Sequence, residues 1–497
     1  MALLAAAPVA EAGDAKGATT NAVVVARAPV SAGLLNDWMR KQSEEMRAWD
    51  IGGEVRVRYA NSEKAVPSAS SMTATSSGTK TTPINPNTDF IGRGQPNNND
   101  ELLFREKFHA GYTPVSWFTV YGEFRNSTEE WDQRYPSPDE DTTDLQQAYV
   151  EFGDPREVPI MAKFGRQTLN YGDRRFVADP PWNNTGRVFD AAKLCFVTDA
   201  FWVDAFCGRM VVPRQDHVNV SNDYDYFSGI YASSQKLMPW QETQVYFLSR
   251  NAGAQAVSAS DLNVPGTPTT ARDIYTAGIR FKSLSGKLGG WDYSLEAAGQ
   301  CGSCYNTTLK KRLDQQAYAV FASGGYTWTN VWATPRLGVG YEGGSGDSNP
   351  NDGKSETFEN LFGSSHGFYG QMDLFCQRNM HIPHITASVK PLKDLTVMLD
   401  CMGFWLADTN DYLYPESGSG RNANGYDRHP TYDSYVGTEV DLVARYSPLS
   451  WLKLETGYGH FFVGTYIKQS VSSPTYVAAN GSAMDANWFY VQTTISF

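Results

Sequence analysis

Basic side chains at every second position are the feature of this chain with the clearest chemistry. Such pairs are Arg56 with Arg58, Arg105 with Lys107, and Arg280 with Lys282. Residues two apart in an extended strand point to the same face, so each pair would present two cations together. Arg pairs with carboxylates through two parallel hydrogen bonds. The pattern indicates contact with an anionic solute or pairing with the chain's own carboxylates.

The same strand face carries further basic residues and a nearly equal set of acids. The basic set is Arg56, Arg58, Arg105, Lys107, Arg125, Lys163, Lys193, Arg280, Lys282, Arg336, Lys390, Arg445 and Lys453. The acidic set is Glu54, Glu123, Glu151, Glu242, Asp292, Glu296, Glu342, Asp400, Glu439, Asp441 and Glu455. This balance predicts cross-strand ion pairs rather than a wholly electropositive surface. The net charge of −12 argues against nucleic acid as a partner.

Catalytic and metal-binding signals are weak. The chain has seven histidines and no Gly-x-Ser-x-Gly motif, so a hydrolase built on His366 or His460 is disfavoured, and His460 is interpreted as an inward polar residue. The segment 347–353 resembles a calcium loop, but its Gly is one place late and the distal Glu is absent. We therefore expect no enzyme activity, no metal and no cofactor.

Short and long connections alternate between strand-like segments from about residue 50 onward. Minimal connections occur at 113–116, 154–158, 198–200, 329–330, 391–394 and 447–450, and long polar stretches occur at 61–100, 343–379 and 408–433. Tight periplasmic turns and long extracellular loops are typical of outer-membrane barrels. The pattern predicts an all-β fold, a transmembrane antiparallel up-and-down β-barrel of about 18 strands.

Strand patterning and the C-terminal segment agree with a bacterial outer-membrane location. Apolar and charged residues alternate in the strands, and no run of 18 or more apolar residues exists. In a barrel the apolar face meets membrane lipid and the charged face lines the lumen. The segment NWFYVQTTISF places Phe489, Val491, Ile495 and Phe497 on one face, which resembles the C-terminal signature of outer-membrane proteins.

We expect three regions along the chain. Residues 1–15 resemble a signal-peptide remnant, with a disordered Ala-rich tail as the alternative. Residues 16–48 would form a periplasmic N-terminal segment with a short amphipathic helix at 34–47. Residues 49–497 would form the barrel.

The six cysteines fit an oxidising compartment. Cys195 and Cys207 flank the 198–200 turn with the same parity, so they are expected to be able to face each other across a hairpin. Cys301 and Cys304 fall in a predicted outer loop, where loop stapling or inert thiols are expected.

Four blocks of the sequence resemble the alginate-export family of outer-membrane barrels. They are GRQTLNYGDRRFVADPPWNNTGRVFDAAKL (165–194), TFENLFGSSHGFYGQMDLF (357–375), FWLADTNDYLY (404–414) and VGTEVDLVARYSPLSWLKLETGYGHFFVGTYI (436–467). The resemblance implies an 18-stranded barrel whose founding activity is diffusion of an anionic polysaccharide through a lumen lined by Arg and Lys. The family is broad, and the near balance of charge leaves alginate itself open.

The first block carries candidate contact residues at the barrel mouth. The resemblance supplies Arg166, Asp173, Arg174, Arg175 and Arg187. Either these Arg residues meet a polyanion at the mouth, or Arg174 and Arg175 pair with Asp173, Asp179 or Asp190 and fold the loop inward. Trp182 in the same loop is a candidate for stacking on a sugar ring.

The second block carries candidate constriction residues. His366, Tyr369 and Asp373 lie in a long loop, which would either narrow the lumen or cap the barrel from outside.

Two functional hypotheses remain from the sequence. The first is a passive outer-membrane channel for saccharides or uronate-bearing oligo- or polysaccharides. The alternative is a scaffold or surface-binding barrel with a plugged lumen. The solute, the direction of flow and the oligomeric state are left open by the sequence.

Overall fold

The computed structural model describes residues 33–63, 90, 98–132, 139–214, 218–254, 256, 271–306, 309–416, 428–471 and 483–497. The predicted region 1–15 and the first part of the region 16–48 lie outside these residues. So does most of the polar stretch 61–100.

Eighteen long strands form one closed antiparallel sheet, as the sequence predicts. They are β1 Trp49–Glu63, β2 Asn98–Val115, β3 Phe118–Glu130, β4 Asp141–Phe152, β5 Ile160–Gln167, β6 Phe189–Val197, β7 Trp202–Val212, β8 Val220–Met238, β9 Gln241–Ala252, β10 Arg272–Ser283, β11 Trp291–Asn306, β12 Lys311–Thr327, β13 Arg336–Gly344, β14 Met380–Leu392, β15 Leu395–Leu406, β16 Tyr435–Leu449, β17 Leu452–Val463 and β18 Ala486–Ser496. A further two-residue strand, Lys354–Ser355, lies in the connection between β13 and β14 and pairs in parallel with β12.

The barrel closes where β1 pairs with both β2 and β18. The Phe497 N–H donates to the Gly53 carbonyl, and the Gly53 N–H donates back to the Phe497 carbonyl, each at 3.0 Å. A Cβ on Gly53 would lie 2.5 Å from the Phe497 ring, so glycine permits this approach. Closure leaves no unpaired sheet edge in the bilayer, where unsatisfied backbone groups cost several kcal/mol each.

The outer face of the barrel is apolar and exposed. Phe108, Phe124, Phe247, Val339 and Leu442 are each 48–62% exposed, and all point away from the lumen. Such a band suits lipid contact. In the described residues, no helix is long and apolar enough to cross a membrane.

The segment before β1 packs at the barrel end that carries the short turns. It forms α1 Leu34–Met39 and a 3-10 helix Glu45–Ala48, so the predicted helix over 34–47 is interrupted. The Asn36 side chain donates to Asp50 at 2.9 Å, and His109 lies 3.2 Å from the same carboxylate. A second helix, α2 Thr465–Val471, follows β17.

The predicted cysteine placements are wrong. Cys195 pairs with Asp204 and Cys207 with Ala192 across the hairpin, so the two thiols lie on opposite sheet faces. In this register each odd-numbered residue of one strand faces an even-numbered residue of the other. The two odd-numbered residues Cys195 and Cys207 therefore cannot face each other. Cys301 and Cys304 lie within β11 rather than in a loop, because the ladder with β12 continues as far as Asn306. All six thiols are free.

Candidate functional site

Two long loops fold into the lumen and contact each other there. The first inner loop comprises residues 168–188, between β5 and β6, and the second comprises residues 345–379, between β13 and β14. The Ala178 N–H donates to the Phe362 carbonyl at 2.8 Å, and the Phe362 N–H donates to the Phe176 carbonyl at 2.9 Å. These bonds form a short parallel bridge, and the two loops therefore act as one structural unit.

An aromatic core joins this unit to the barrel wall. The Phe362 ring centroid lies 5.4 Å from that of Phe189 and 4.8 Å from that of Phe227. On another side of the lumen, Phe375 lies 5.1 Å from Phe404 and 5.4 Å from Phe461. Part of the lumen is therefore a packed interior. The alternation of charged and apolar residues did not predict this interior, because it gives the face of a strand residue and not the position of a loop residue such as Phe362 or Phe375.

Wall residues hold the first inner loop through buried ion pairs. Asp173 accepts from the Arg280 guanidinium at 2.5 Å and from the Lys282 ammonium at 2.7 Å. Burial alone would raise the pKa of Asp173, but Arg280 and Lys282 hold it below the usual range. Arg175 pairs with the fully buried Glu342 of β13 at 2.5 Å.

Three predicted lumen arginines also bind this loop. Arg56 donates to the Pro181 carbonyl at 2.8 Å, and Arg58 donates to the Trp182 carbonyl at 2.9 Å. Arg105 donates to the Asn183 carbonyl at 2.9 Å and pairs with Glu54 at 2.6 Å. These guanidinium groups are turned toward the loop backbone in this conformation.

Three further arginines of this region also bind groups of the chain itself. Arg166 pairs with Asp190 at 2.9 Å, Arg187 donates to the Phe362 carbonyl at 2.7 Å, and Arg125 pairs with Asp141. The Arg174 backbone has a φ of 65°, and its N–H donates to the Tyr171 carbonyl at 2.9 Å, which closes a tight turn. Of the two alternatives for this block, the structure shows the loop folded inward. The expected pairing of Arg175 with Asp173, Asp179 or Asp190 is wrong, since Arg175 pairs with Glu342 and Asp173 pairs with Arg280 and Lys282 of the wall.

The second inner loop lies against the lumen wall and does not form an external cap. The Glu439 carboxylate accepts the Gln371 and Met372 N–H groups at 2.7 and 3.0 Å, and Asp441 also accepts from Gln371 at 3.3 Å. Tyr369 is 1% exposed. The predicted residues His366, Tyr369 and Asp373 thus lie in the part of the loop that packs inside the barrel, next to Glu439 and Asp441.

An aromatic stack connects the two loops and the wall. The rings of Trp182 and His366 are parallel within 2° at 3.8 Å, and the Arg58 guanidinium lies 3.7 Å from the Trp182 ring. The His366 Nδ1 lies 2.9 Å from Asp373 Oδ2. Burial lowers the pKa of His366 well below its ordinary value, so this ring is neutral at physiological pH.

Partly exposed cations line the lumen in the half of the barrel nearer the short turns. Lys163 opposes Lys193 across β5 and β6, and their side chains are 17% and 26% exposed. Each pairs with a neighbouring carboxylate, Glu151 at 3.0 Å and Asp204 at 3.1 Å. Lys107, Lys282, Arg336 and Arg445 are similarly paired and 13–28% exposed. These cations are accessible to a solute in the lumen.

His460 does not face the lumen. Its Nδ1 lies 2.7 Å from the Asn487 Oδ1, and its ring packs on Phe462, which belongs to the lipid-facing side. The interpretation of His460 as an inward polar residue is therefore wrong, because inward positions on β17 have odd numbers.

Carboxylates also come together at the outer end of β3. Among the described residues, the oxygens of Glu129, Asp132 and Asp139 lie within 4.8 Å of one another. Such groups are common without an ion, and we assign no metal to this one.

Three arginines absent from the sequence-based list surround one buried carboxylate. Arg250 of β9, Arg272 of β10 and Arg378 all pair with Glu359 of the second inner loop. Arg250 and Arg272 lie on the same inward sheet face as Arg280. The alternation of residues along β9 and β10 was therefore sufficient to find them. Arg378 and Glu359 are brought there by loop folding alone.

The base of the second inner loop contains a carboxyl group with a raised pKa. Burial raises the pKa of Asp347 to about 6, and the nearby Asp411 carboxylate adds to the shift. A raised pKa means that this group stabilises the fold below about pH 4 and that the contribution is lost as pH rises through 6. We expect docking of residues 345–357 to weaken by about 1 kcal/mol between pH 4.5 and 7.5, after allowance for solvent screening.

Hydrogen exchange of the 345–357 amides, corrected for intrinsic pH effects, measures this change. The variant Asp347→Asn should abolish the pH dependence, whereas Asp352→Asn in the same loop should retain it. Equal pH dependence in both variants would contradict the assignment.

A closed barrel with an apolar outer band and a charged lumen narrowed by inner loops defines an outer-membrane channel. The family model described as alginate export matches residues 80–479, and the chain belongs to this family. None of the curated protein sequences matches this chain.

Solved outer-membrane proteins share the fold at low sequence identity. OpdQ of Pseudomonas aeruginosa superposes with a TM-score of 0.54 at 12% identity, covering 92% of this chain and 99% of OpdQ. A BenF-like porin from Pseudomonas fluorescens Pf-5 gives 0.53 at 11% identity, with 90% and 99% covered. Pseudomonas aeruginosa OpdK, solved with vanillate, gives 0.51 at 11% identity, with 90% and 98% covered. These similarities establish the barrel fold.

Proposed function

We propose that this channel passes saccharides, in particular uronate-bearing oligo- or polysaccharides, by passive diffusion. The observation that supports it is the set of partly exposed cations in the lumen, Lys107, Lys163, Lys193, Lys282, Arg336 and Arg445. Each belongs to an ion pair, so a passing carboxylate can exchange with the chain's own carboxylate without leaving a bare charge. The inner loops control the free cross-section.

The function proposed is transport rather than catalysis. His366 is stacked on Trp182 and bonded to Asp373, so it holds two loops together. We expect His366→Gln to alter the conductance of the channel. We expect no hydrolytic activity in either the intact chain or this variant.

Planar-bilayer recording in a salt gradient tests the proposal. We expect an anion-selective current that oligogalacturonate blocks and maltotriose, a neutral sugar, does not. The double variant Lys163→Gln/Lys193→Gln should shift the reversal potential toward cation selectivity and weaken the uronate block about tenfold, because two lumen charges are lost. Lys393→Gln, in a turn where the side chain is 90% exposed, is the matched control. Equal block by both sugars would exclude uronate preference.

The packed interior favours a second candidate, a barrel with a plugged lumen that binds a partner at the surface. Its supporting observation is the bridge between the inner loops at Val177 and Phe362. A folded barrel with no measurable conductance, in the intact chain and in variants that release the loops, would favour this candidate.

A further inference from the structure

Three arginine side chains surround the Glu359 carboxylate. Its carboxylate oxygens contact Arg250 at 3.3 Å, Arg378 at 3.5 Å and Arg272 at a shorter distance. Asp225 is the other acid on Arg250, at 2.7 Å. Three guanidinium groups thus converge on the Glu359 carboxylate.

We propose that Arg250, Arg272 and Arg378 form a carboxylate-binding site that Glu359 occupies as a built-in competitor. The inference rests on the proposed function and names a site for the uronate group. A solute carboxylate that displaces Glu359 would take over its charge-assisted hydrogen bonds.

The environment of Glu359 fits this assignment. Burial alone would raise the pKa of Glu359, but Arg272, Arg378 and Arg250 lower it to about 2, so it is ionised under all physiological conditions. The side chains of Arg272 and Arg378 are 16% and 18% exposed, which gives a free anion access to them. The Phe362 ring lies 4.6 Å from Arg250, and the Tyr414 ring lies 4.6 Å from Arg378. Both rings fix the guanidinium groups in place.

The backbone at Glu359 is held independently of its side chain. Its N–H donates to the Gln300 side-chain oxygen at 2.8 Å, and the Gln300 amide donates back to the Glu359 carbonyl at 3.0 Å. Nearby, the Gln315 amide donates to the Thr357 carbonyl at 2.8 Å. The loop therefore has anchors at this point that do not depend on the Glu359 carboxylate.

Removal of the competitor should create affinity for a free carboxylate. A tethered group competes at an effective concentration on the order of millimolar. We expect Glu359→Ala to bind glucuronate about tenfold more tightly than the intact chain, with glucose unaffected. Calorimetry on the detergent-solubilised barrel measures this affinity and needs no conduction.

Three variants complete the experiment. Glu359→Gln keeps the side-chain shape and should give a smaller increase in glucuronate affinity than Glu359→Ala. The double variant Glu359→Ala/Arg272→Gln should bind glucuronate no more tightly than the intact chain. Asp273→Asn is the matched control, because it removes one acid from the next position of β10, where Asp273 pairs with the exposed Arg312. Heat-modifiable mobility in gels confirms that each barrel is folded.

The outcomes separate this inference from the proposed function. Glucuronate binding by folded Glu359→Ala no tighter than by Asp273→Asn would overturn the inference, whatever the channel conducts. A gain in binding without any uronate block of the intact channel would uphold the site and contradict the uronate preference. Equal increases in affinity for glucuronate and glucose in Glu359→Ala would show that both sugars fill the space left by the side chain. That result would also overturn the inference.

Discussion

Glu342→Gln is expected to raise the open probability of the channel by about two orders of magnitude. Glu342 is fully buried in β13 and balances the buried Arg175 of the first inner loop. The Arg175 guanidinium also lies 4.5 Å from the Phe321 and Phe368 rings, which supply no full negative charge. Removing one partner of a buried ion pair costs about 3–5 kcal/mol because an uncompensated charge remains. That cost opposes docking of the loop.

Single-channel recording measures the open fraction, and two controls identify its cause. The double variant Arg175→Met/Glu342→Met replaces the pair by apolar groups of similar size and should restore the docked state. Asp273→Asn breaks an ion pair whose side chains are 44–45% exposed and should change little. An unchanged open fraction in folded Glu342→Gln would show that this pair does not hold the loop.

Trp182→Ala is expected to have the second largest effect, again by releasing the loops. The indole contacts Arg58 and His366, and Tyr490 of β18 lies 4.9 Å away. Truncation of a packed aromatic to alanine costs about 3–5 kcal/mol when the site is buried, and Trp182 is half-buried. We therefore expect about 2 kcal/mol against docking, and a current increased about tenfold or more.

This variant also decides between two roles for Trp182. If the indole holds the loops together, Trp182→Ala raises conductance and Trp182→Phe, which keeps a stacking ring, restores most of the docking. If it is instead a platform for a sugar ring, Trp182→Ala weakens block by oligosaccharide at constant conductance. The present stack favours the first role, since the indole is already engaged by two side chains.

The strand pattern determined the barrel. Alternation such as Leu337, Val339 and Tyr341 against Arg336 and Glu342 is fixed by the two-residue repeat of a strand, and lipid on one side allows only one orientation. The inward position of Arg280, Arg336 and Glu342 follows from the same repeat. The number of strands follows from counting these segments and their turns.

Strand alternation alone does not determine which residues face each other across the β6–β7 hairpin. Parity gives the face of a residue within one strand, but the face of its partner depends on the register, and the register depends on the conformation of the turn. The 198–201 turn sets Cys195 against Asp204. The register therefore cannot be read from the spacing of the two cysteines.

What only the tertiary structure decided is the content of the lumen. The partners of Arg56, Arg175 and Glu359 are 125, 167 and 87 residues away in sequence, respectively. No local repeat encodes such pairings, because they arise when two irregular loops enter a closed barrel and satisfy buried charges there. The sequence by itself determined the barrel and the charges that line it. The three-dimensional fold decided which of those charges bind the loops and which face a solute.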